Sequence, residues 1–403
     1  MTVVEELADR VRNGEVHLHE LDEHTDRRTA AAVRRRILTS RTDADLGTVG
    51  DFAFDAADTE GNIENLLGGI QVPLGVAGPV TVDGSAADGE YDLPLATTEG
   101  ALVASVNRGC GVVQAAGGAT ARVLASKMTR APVFRVADVA TAQTVVEWVD
   151  ANTDTLAAAA ESTTEHGELL FVDPYVVGDS VFLRFGFDTK DAMGMNMVTI
   201  ATREAAEVVE AETPASLVAL SGNLCTDKKP AAINAIEGRG RTVTADVVIP
   251  HETVEEQLHT TPAAIAEINT RKNHVGSAKA GSLGFNAQAA NVVAAMFLAT
   301  GQDGAQVVEG SNTITTIDVR EDDLYASVTL SSLEVGTVGG GTTLPTQREA
   351  LSLLGVDGGG DPPGANADAL AEVIAVGALA GELSLLGALG SRHLSSAHSD
   401  LGR

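Results

Sequence analysis

APVFRVADVATAQTVVEWVDANTDTLAAAAESTTEHGELLFVDPYVVGDSVFLRFGFDTKDAMGMNMVTIATREAAEVVEAETPASLVAL, residues 131–220, is the stretch whose pattern decides how this chain folds. Four pieces read as strands: VFRVAD (133–138), LLFVDPYVVG (169–178), SVFLRFGFD (180–188) and PASLVALSG (214–222), all rich in β-branched or aromatic residues. Between them AQTVVEWVDANTDTLAAA (142–159) and MNMVTIATREAAEVVEAE (195–212) read as helices. The order strand-helix-strand-strand-helix-strand is the split βαβ arrangement, and it predicts a small unit inserted in a larger one.

Outward from this stretch the character changes on both sides. Towards the N-terminus, ENLLGGIQVPLGVAGPVTVDG (64–84) is punctuated by Gly and Pro and reads as short strands and turns. Thr97 to Arg108 reads as the start of a helix. Leu7, Val11, Val16, Leu18 and Leu21 mark a first amphipathic stretch and residues 25–40 a second, before an acidic turn at 43–59. Towards the C-terminus, residues 282–300 predict one long buried helix. Residues 365–390 predict another, whose Gly, Ala and Glu382 mark it as a core helix and not a membrane span. The expected fold class is α+β, divided as 1–63 (helical), 64–130 and 221–403 (two parts of a large domain with a long central buried helix), and 131–220 (the insert).

A hydrophobic content of 44% over 403 residues allows a large core, but aromatics at 3% require it to be built from Val, Leu, Ile and Ala. The formal net charge of -29 disfavours nucleic acid and anionic membranes as partners. Only six of the 27 basic residues are Lys: Lys127, Lys190, Lys228, Lys229, Lys272 and Lys279. Acid excess with scarce Lys reads as adaptation to high salt, where a Debye length of roughly 3 Å at about 1 M screens self-repulsion. Cys110 and Cys225 are too few for a disulfide framework and form no zinc-type pair, so no metal is expected and reduced thiols in a cytoplasm fit. MTVVEELADRVRNG has no signal-peptide character.

No GxGxxG, GxxxxGK[ST], HExxH or GxSxG is present. The segment that carries chemistry is LSGNLCTDKKPAAINAIEGRGR (220–241). Asp227, Lys228 and Lys229, set between apolar residues and a proline, suit anion recognition and stabilisation of a developing oxyanion. In a chain that has shed most of its lysines, an adjacent pair is more than a solvated turn.

TDKKPAAIN resembles the catalytic-lysine loop of the 3-hydroxy-3-methylglutaryl-coenzyme A (HMG-CoA) reductase family, and the other motifs follow in that family's order. They are ENLLGGIQVPLGVAGPV, PLATTEGALVASVNRGC, KMTRAP, DAMGMNM, RKNHVGSAKAGSLGFNAQAANVVAA, ATGQDGAQVVEGSNTIT, VGTVGGGTTLPTQ and SSAHSD. The resemblance, to soluble archaeal members of class I from a halophile, implies an α+β fold: a ferredoxin-like NADP-binding insert within a large substrate-binding domain whose second part holds the catalytic loop 221–234 and the C-terminal tail. It implies NADPH-dependent reduction of (S)-HMG-CoA to (R)-mevalonate with release of CoA, in the mevalonate pathway to isoprenoids. It places catalytic residues at Glu99, Lys228, Asp303 and His398. Substrate contacts fall on Ser105, Asn107, Arg108, Arg130, Ser221, Asp227, Lys229, Lys272 and Asn291, and cofactor contacts on Asp191, Met193, Gly194, Met195, Asn196, Gly340, Gly341 and Thr342. It further implies a homodimer or homotetramer with the site between subunits. The runner-up is the same fold run in reverse with NAD.

The implied chemistry assigns Lys228 to the oxyanion, His398 to protonation of the departing CoA thiolate, and Glu99 to the proton that the aldehyde oxygen needs. Asp303 is expected to position Lys228 and to share protons with Glu99, with Asn291 bridging. His274 and His393 read as structural or tail residues.

Overall fold

Helix Ala365–Gly390 is apolar on every face, and it folds as such sequences must, enclosed on all sides. It is long and apolar enough to cross a membrane by composition, yet 78% of its most apolar window is buried inside the protein. The computed structural model describes residues 2–391; His398 and His393 lie outside them.

Ten strands are present among the described residues: β1 (Leu74–Gly84), β2 (Asp88–Ala96), β3 (Ala119–Arg130), β4 (Val133–Arg135), β5 (Glu168–Val177), β6 (Ser180–Asp188), β7 (Ser216–Ala219), β8 (Gly240–Ile249), β9 (Thr313–Arg320) and β10 (Asp323–Leu333). One set runs β2-β1-β3-β8-β10-β9, all neighbours antiparallel except β1 with β3. The other runs β7-β4-β6-β5, all antiparallel, with two helical segments between its strands. Strand β3 belongs to both, since Met128–Arg130 at its end pair with Phe185–Phe187 of β6.

Three main apolar clusters result. The largest packs helices Leu102–Ala115, Ala289–Thr300 and Ala365–Gly390 against the first set of strands, using Val, Leu, Ile and Ala with Phe297 as a rare aromatic. A second lies between β4–β6 and helices Val139–Ala151, Thr153–Glu161 and Met195–Glu212, around Phe134, Phe185 and Phe187. The third joins Leu7, Leu21, Val33 and Ile37 of the N-terminal helices. Its first helix opens on a capping box between Thr2 and Glu5, and buried Arg34 ties the group together through Asp22 at 2.7 Å.

The helix read over 142–159 is two, Val139–Ala151 and Thr153–Glu161, parted at Asn152, and two further helix boundaries differ from expectation. The helix predicted over 282–300 begins at Ala289. Residues before it are pulled into the sheet: Phe285 N donates to Thr313 O, Thr315 N donates to Phe285 O, and Asn286 Oδ1 then caps Ala289 N at 3.1 Å. The helix expected from Thr97 begins at Leu102, because Ala101 takes a left-handed backbone (φ 70) and Thr97 Oγ1 accepts from Glu99 N in a turn of its own. Glu99 is therefore a loop residue.

Candidate active site

Between β7 and β8 the chain carries Asp227, Lys228 and Lys229 on a loop in which Asn223, Thr226 and Lys228 all have left-handed φ (63, 55 and 59). Non-glycine residues hold such angles only where neighbours over-determine them. Here they do. Lys228 Nζ meets Asp303 Oδ2 at 2.7 Å, Lys228 N donates to buried Glu309, and Asp227 Oδ1 accepts from Gln306 Nε2 (2.9 Å) and Arg239 Nη2 (3.1 Å). Lys229 Nζ folds back to Asp227 O at 2.9 Å. The Asp303 carboxylate bound to it raises the Lys228 ammonium above its ordinary pKa despite partial desolvation. Burial opposes ionisation of Asp227, but Arg239, Gln306, Lys228 and Arg130 outweigh it and hold its carboxyl below the ordinary value.

Exposed Glu99 accepts from Asn291 Nδ2 at 3.3 Å, which joins the loop before one helix to the first turn of another. Asn291 makes no hydrogen bond to Asp303 among the described residues, so the expected bridge between the two acids is not formed by it. Arg130, at the end of β3, reaches the same loop: its guanidinium donates to Thr199 Oγ1 (2.7 and 3.0 Å) and lies 4.0 Å from Cys225 Sγ, which in turn is 3.6 Å from Ser221 Oγ. Burial works against the Cys225 thiolate, but backbone N–H donors, Ser221 and Arg130 bring its pKa below the ordinary thiol value. Cys110, with no such partners, is pushed up by burial to about 12.

Ser105, Asn107 and Arg108 follow Glu99 on helix Leu102–Ala115, each already engaged. Ser105 Oγ and Arg108 Nε contact Ser384 Oγ (2.9 and 3.0 Å), and Asn107 Oδ1 accepts from Gly78 N (3.1 Å). Lys272 is exposed within a π-helical stretch, Asn269–Gly276, whose His274 and Asn269 bond Thr315 O; His274 is thus structural. Buried Glu382 holds the neighbouring turn by accepting from Ala287 N, Gln288 N and Thr315 Oγ1.

The segments around DAMGMNM, GQD and GTVGGGT are locked together by glycine contacts. A Cβ at Gly341 would stand 2.5 Å from Gly301 O, and one at Gly336 would stand 2.3 Å from Met193 N. Ala192 bridges Val338, and Gln302 bonds both polar groups of Gly336. Gly194 (φ 87) precedes helix Met195–Glu212, whose first turn no side chain caps; Met193 and Met195 are half-buried and Asn196 is exposed. Gly340, Gly341 and Thr342 form a short turn in which Thr342 Oγ1 is tied to Gly339 O. Asp191, expected to contact the cofactor, has a buried carboxylate that accepts from Gly360 N, Gly364 N and Ala367 N and so fastens this segment to the core helix.

Motif reading missed the layer beneath. Arg239 is fully buried, with Nη1 at 3.0 Å from Glu309 and 3.4 Å from Glu334, both also fully buried. Burial, with Glu309 beside it, drives the Glu334 carboxyl well above its ordinary value. The available signal was an arginine between two glycines (238–240), and Gln306 and Glu309 spaced three and six residues beyond Asp303 on one helical face.

A family model described as hydroxymethylglutaryl-coenzyme A reductase matches residues 30–403. The chain is 73% identical over 401 residues to 3-hydroxy-3-methylglutaryl-coenzyme A reductase of Halobacterium salinarum, covering 99% of this chain and 98% of that one. It is 70% identical to the protein of that name from Haloferax volcanii over the whole of both chains. Among solved structures, the class II 3-hydroxy-3-methylglutaryl-CoA reductase of Streptococcus pneumoniae, bound to NADPH in open conformations, superposes with a TM-score of 0.68 at 20% identity, covering 93% of this chain and all of that one. At that identity the likeness speaks to the fold.

Proposed function

Because the chain belongs to the hydroxymethylglutaryl-coenzyme A reductase family, we propose that it reduces (S)-HMG-CoA to (R)-mevalonate and CoA, in two steps and with two NADPH, in the mevalonate pathway of a salt-adapted cytoplasm. The observation that carries this reading is the Lys228–Asp303 pair at 2.7 Å; the Glu99–Asn291 contact supplies the second carboxyl that the reading needs. Lys228 stabilises the charge that develops on the thioester oxygen; Asp303 keeps it protonated and aimed. Glu99 supplies the proton for the aldehyde oxygen in the second step, and His398 protonates the departing thiolate. Arg130, Ser221, Asp227, Lys229, Lys272 and Asn291 receive the carboxylate and tertiary hydroxyl of the substrate, and Ser105, Asn107 and Arg108 the CoA.

The residues fit a dinucleotide. The uncapped first turn of helix Met195–Glu212 offers free N–H groups to a pyrophosphate. Gly340 has open space where a side chain would stand, so its backbone is accessible to a ligand, while Gly194 and Gly341 pack against Thr189 and Gly301 and fix the turns that carry Met193, Met195, Asn196 and Thr342. When bound there, NADPH supplies the hydride. We further read residues 131–220 as the ferredoxin-like cofactor unit, 1–63 as a helical unit, and 64–130 with 221–403 as the substrate unit. Ile70, 90% exposed, with Val72, Leu74 and Val76 exposed beside it, forms an apolar strip suited to a second subunit. Initial rates with HMG-CoA and either NADPH or NADH, together with product analysis, test the reading: two NADPH consumed per mevalonate formed, with Lys228→Ala inactive, is expected. No turnover with either nucleotide would overturn it.

A further inference from the structure

One short segment grips the catalytic loop at three points. Asp303, Gln306 and Glu309 recur every three residues, through the turn Gly304–Gln306 and helix Val307–Gly310, and so share a face. Asp303 takes the ammonium of Lys228, Gln306 takes the carboxylate of Asp227, and Glu309 takes the backbone N–H of Lys228. Lys228 is thus held at both ends of its own residue by acids six positions apart.

The lower grip is built into the core. Glu309 is fully buried, and its other oxygen accepts from Asn234 Nδ2 at 2.7 Å, which itself belongs to the short helix that closes the loop. Arg239 neutralises it and simultaneously holds Asp227. The Lys228 N–H is donated while the residue sits at φ 59, an angle that lysine does not hold unaided. Removing the acceptor leaves that conformation with one support fewer, at the position where the side chain must point correctly.

We propose that Glu309 is a positioning residue for the reduction: by accepting the Lys228 backbone N–H it fixes the left-handed conformation that delivers the Lys228 ammonium to Asp303 and the reacting oxygen. Gln306 is the second support, acting through Asp227. The inference rests on Lys228 being the oxyanion-stabilising cation.

The test compares Glu309→Leu, Glu309→Gln and Lys228→Ala in the full-length enzyme. In Glu309→Leu, Glu334 and Asp227 remain to balance Arg239. Its kcat should fall at least about tenfold, with the HMG-CoA KM changed by less than about threefold. Glu309→Gln, which retains an oxygen for the N–H, should recover most of that loss. The charged groups facing Lys228 are Asp303, Asp227 and Arg239. A lysine swung away from Asp303 titrates lower, so the alkaline limb of kcat should move to lower pH in Glu309→Leu. Site-resolved hydrogen exchange of the unmutated enzyme gives an answer that does not depend on the variant folding: the Lys228 amide should exchange at least about a hundredfold slower than an unprotected one. Wild-type kcat and alkaline limb in folded Glu309→Leu, or an unprotected Lys228 amide, would overturn the proposal. If Lys228→Ala itself retained full turnover, it is the role of Lys228 that would fall, a separate failure.

Discussion

Asp303→Asn isolates the electrostatic part of the Lys228–Asp303 contact, since shape and hydrogen-bonding reach are nearly conserved. The contact is a charge-assisted hydrogen bond at 2.7 Å, with side chains 43% and 30% exposed. Such bonds contribute about 1.5–3 kcal/mol when well buried, and exposure of this order reduces that to about 1–2 kcal/mol through solvent screening. If the lysine's alignment is lost to that extent in the transition state, kcat falls about 5–30-fold. The sign of the pH effect follows from the same contact. Asp303 raises the Lys228 pKa, so the ammonium persists to higher pH in the native enzyme than an unpaired lysine would. The charge is complete below the ordinary lysine range and is lost as pH rises through the raised value. Removing the carboxylate charge must therefore shift the alkaline limb of kcat downward. Steady-state kcat measured from about pH 6 to 11 at constant high salt reads both effects. An Asp303→Asn enzyme with unchanged kcat and an unchanged alkaline limb would refute the reasoning.

Gly341→Ala sets a methyl 2.5 Å from Gly301 O; the expected cost is about 1–3 kcal/mol, seen as a lower Tm by calorimetry and a raised KM for NADPH, and an unchanged pair of values would show that the two turns can part freely. Glu334 binds a proton more tightly when folded than unfolded, so the unfolding free energy should fall as pH rises above the ordinary Glu value of about 4.3; urea melts of Glu334→Gln should lose that part of the slope, and parallel pH profiles for variant and wild type would contradict it. With a net charge of -29, Tm should climb by several degrees between about 0.1 M and 2 M KCl as repulsion is screened; a Tm that is flat or falls with salt removes the halophilic reading.

Pattern alone revealed the alternation in residues 131–220, because its strands are runs of β-branched and aromatic residues and its helices carry buried apolar positions at helical spacing. The motifs TDKKPAAIN and GQD named two residues that the structure sets 2.7 Å apart. Family membership was likewise readable, since short polar motifs in a fixed order identify a lineage better than composition does. What stayed hidden was tertiary. The start of helix Ala289–Thr300 was misread because Phe285 pairs with β9, a contact nearly thirty residues away in sequence. The fastening role of Asp191 was invisible because its three N–H partners lie 169–176 residues further on. Arg239, Glu309 and Glu334 were passed over because charged residues are ordinarily at the surface, and only their mutual pairing permits complete burial.

Helix Ala365–Gly390 holds the large cluster together through its acids as much as its apolar faces. Asp368 pairs with Arg241 of β8, Glu372 accepts from Ser85, Ala86 and Ala87, and Glu382 accepts from Ala287 and Gln288. Those partners lie up to 287 residues earlier in the chain. A ribosome makes this helix after all of those partners, so the hairpin turn at 85–87, the buried arginine of β8 and the approach to Asn291 are synthesised before the groups they bind. The N-terminal helices and the elements from β4 to β7 each pack around an apolar cluster made of residues closer together in sequence. The large cluster instead draws on contacts far apart in the chain, and a nascent chain halted before residue 365 lacks the helix that packs at its centre.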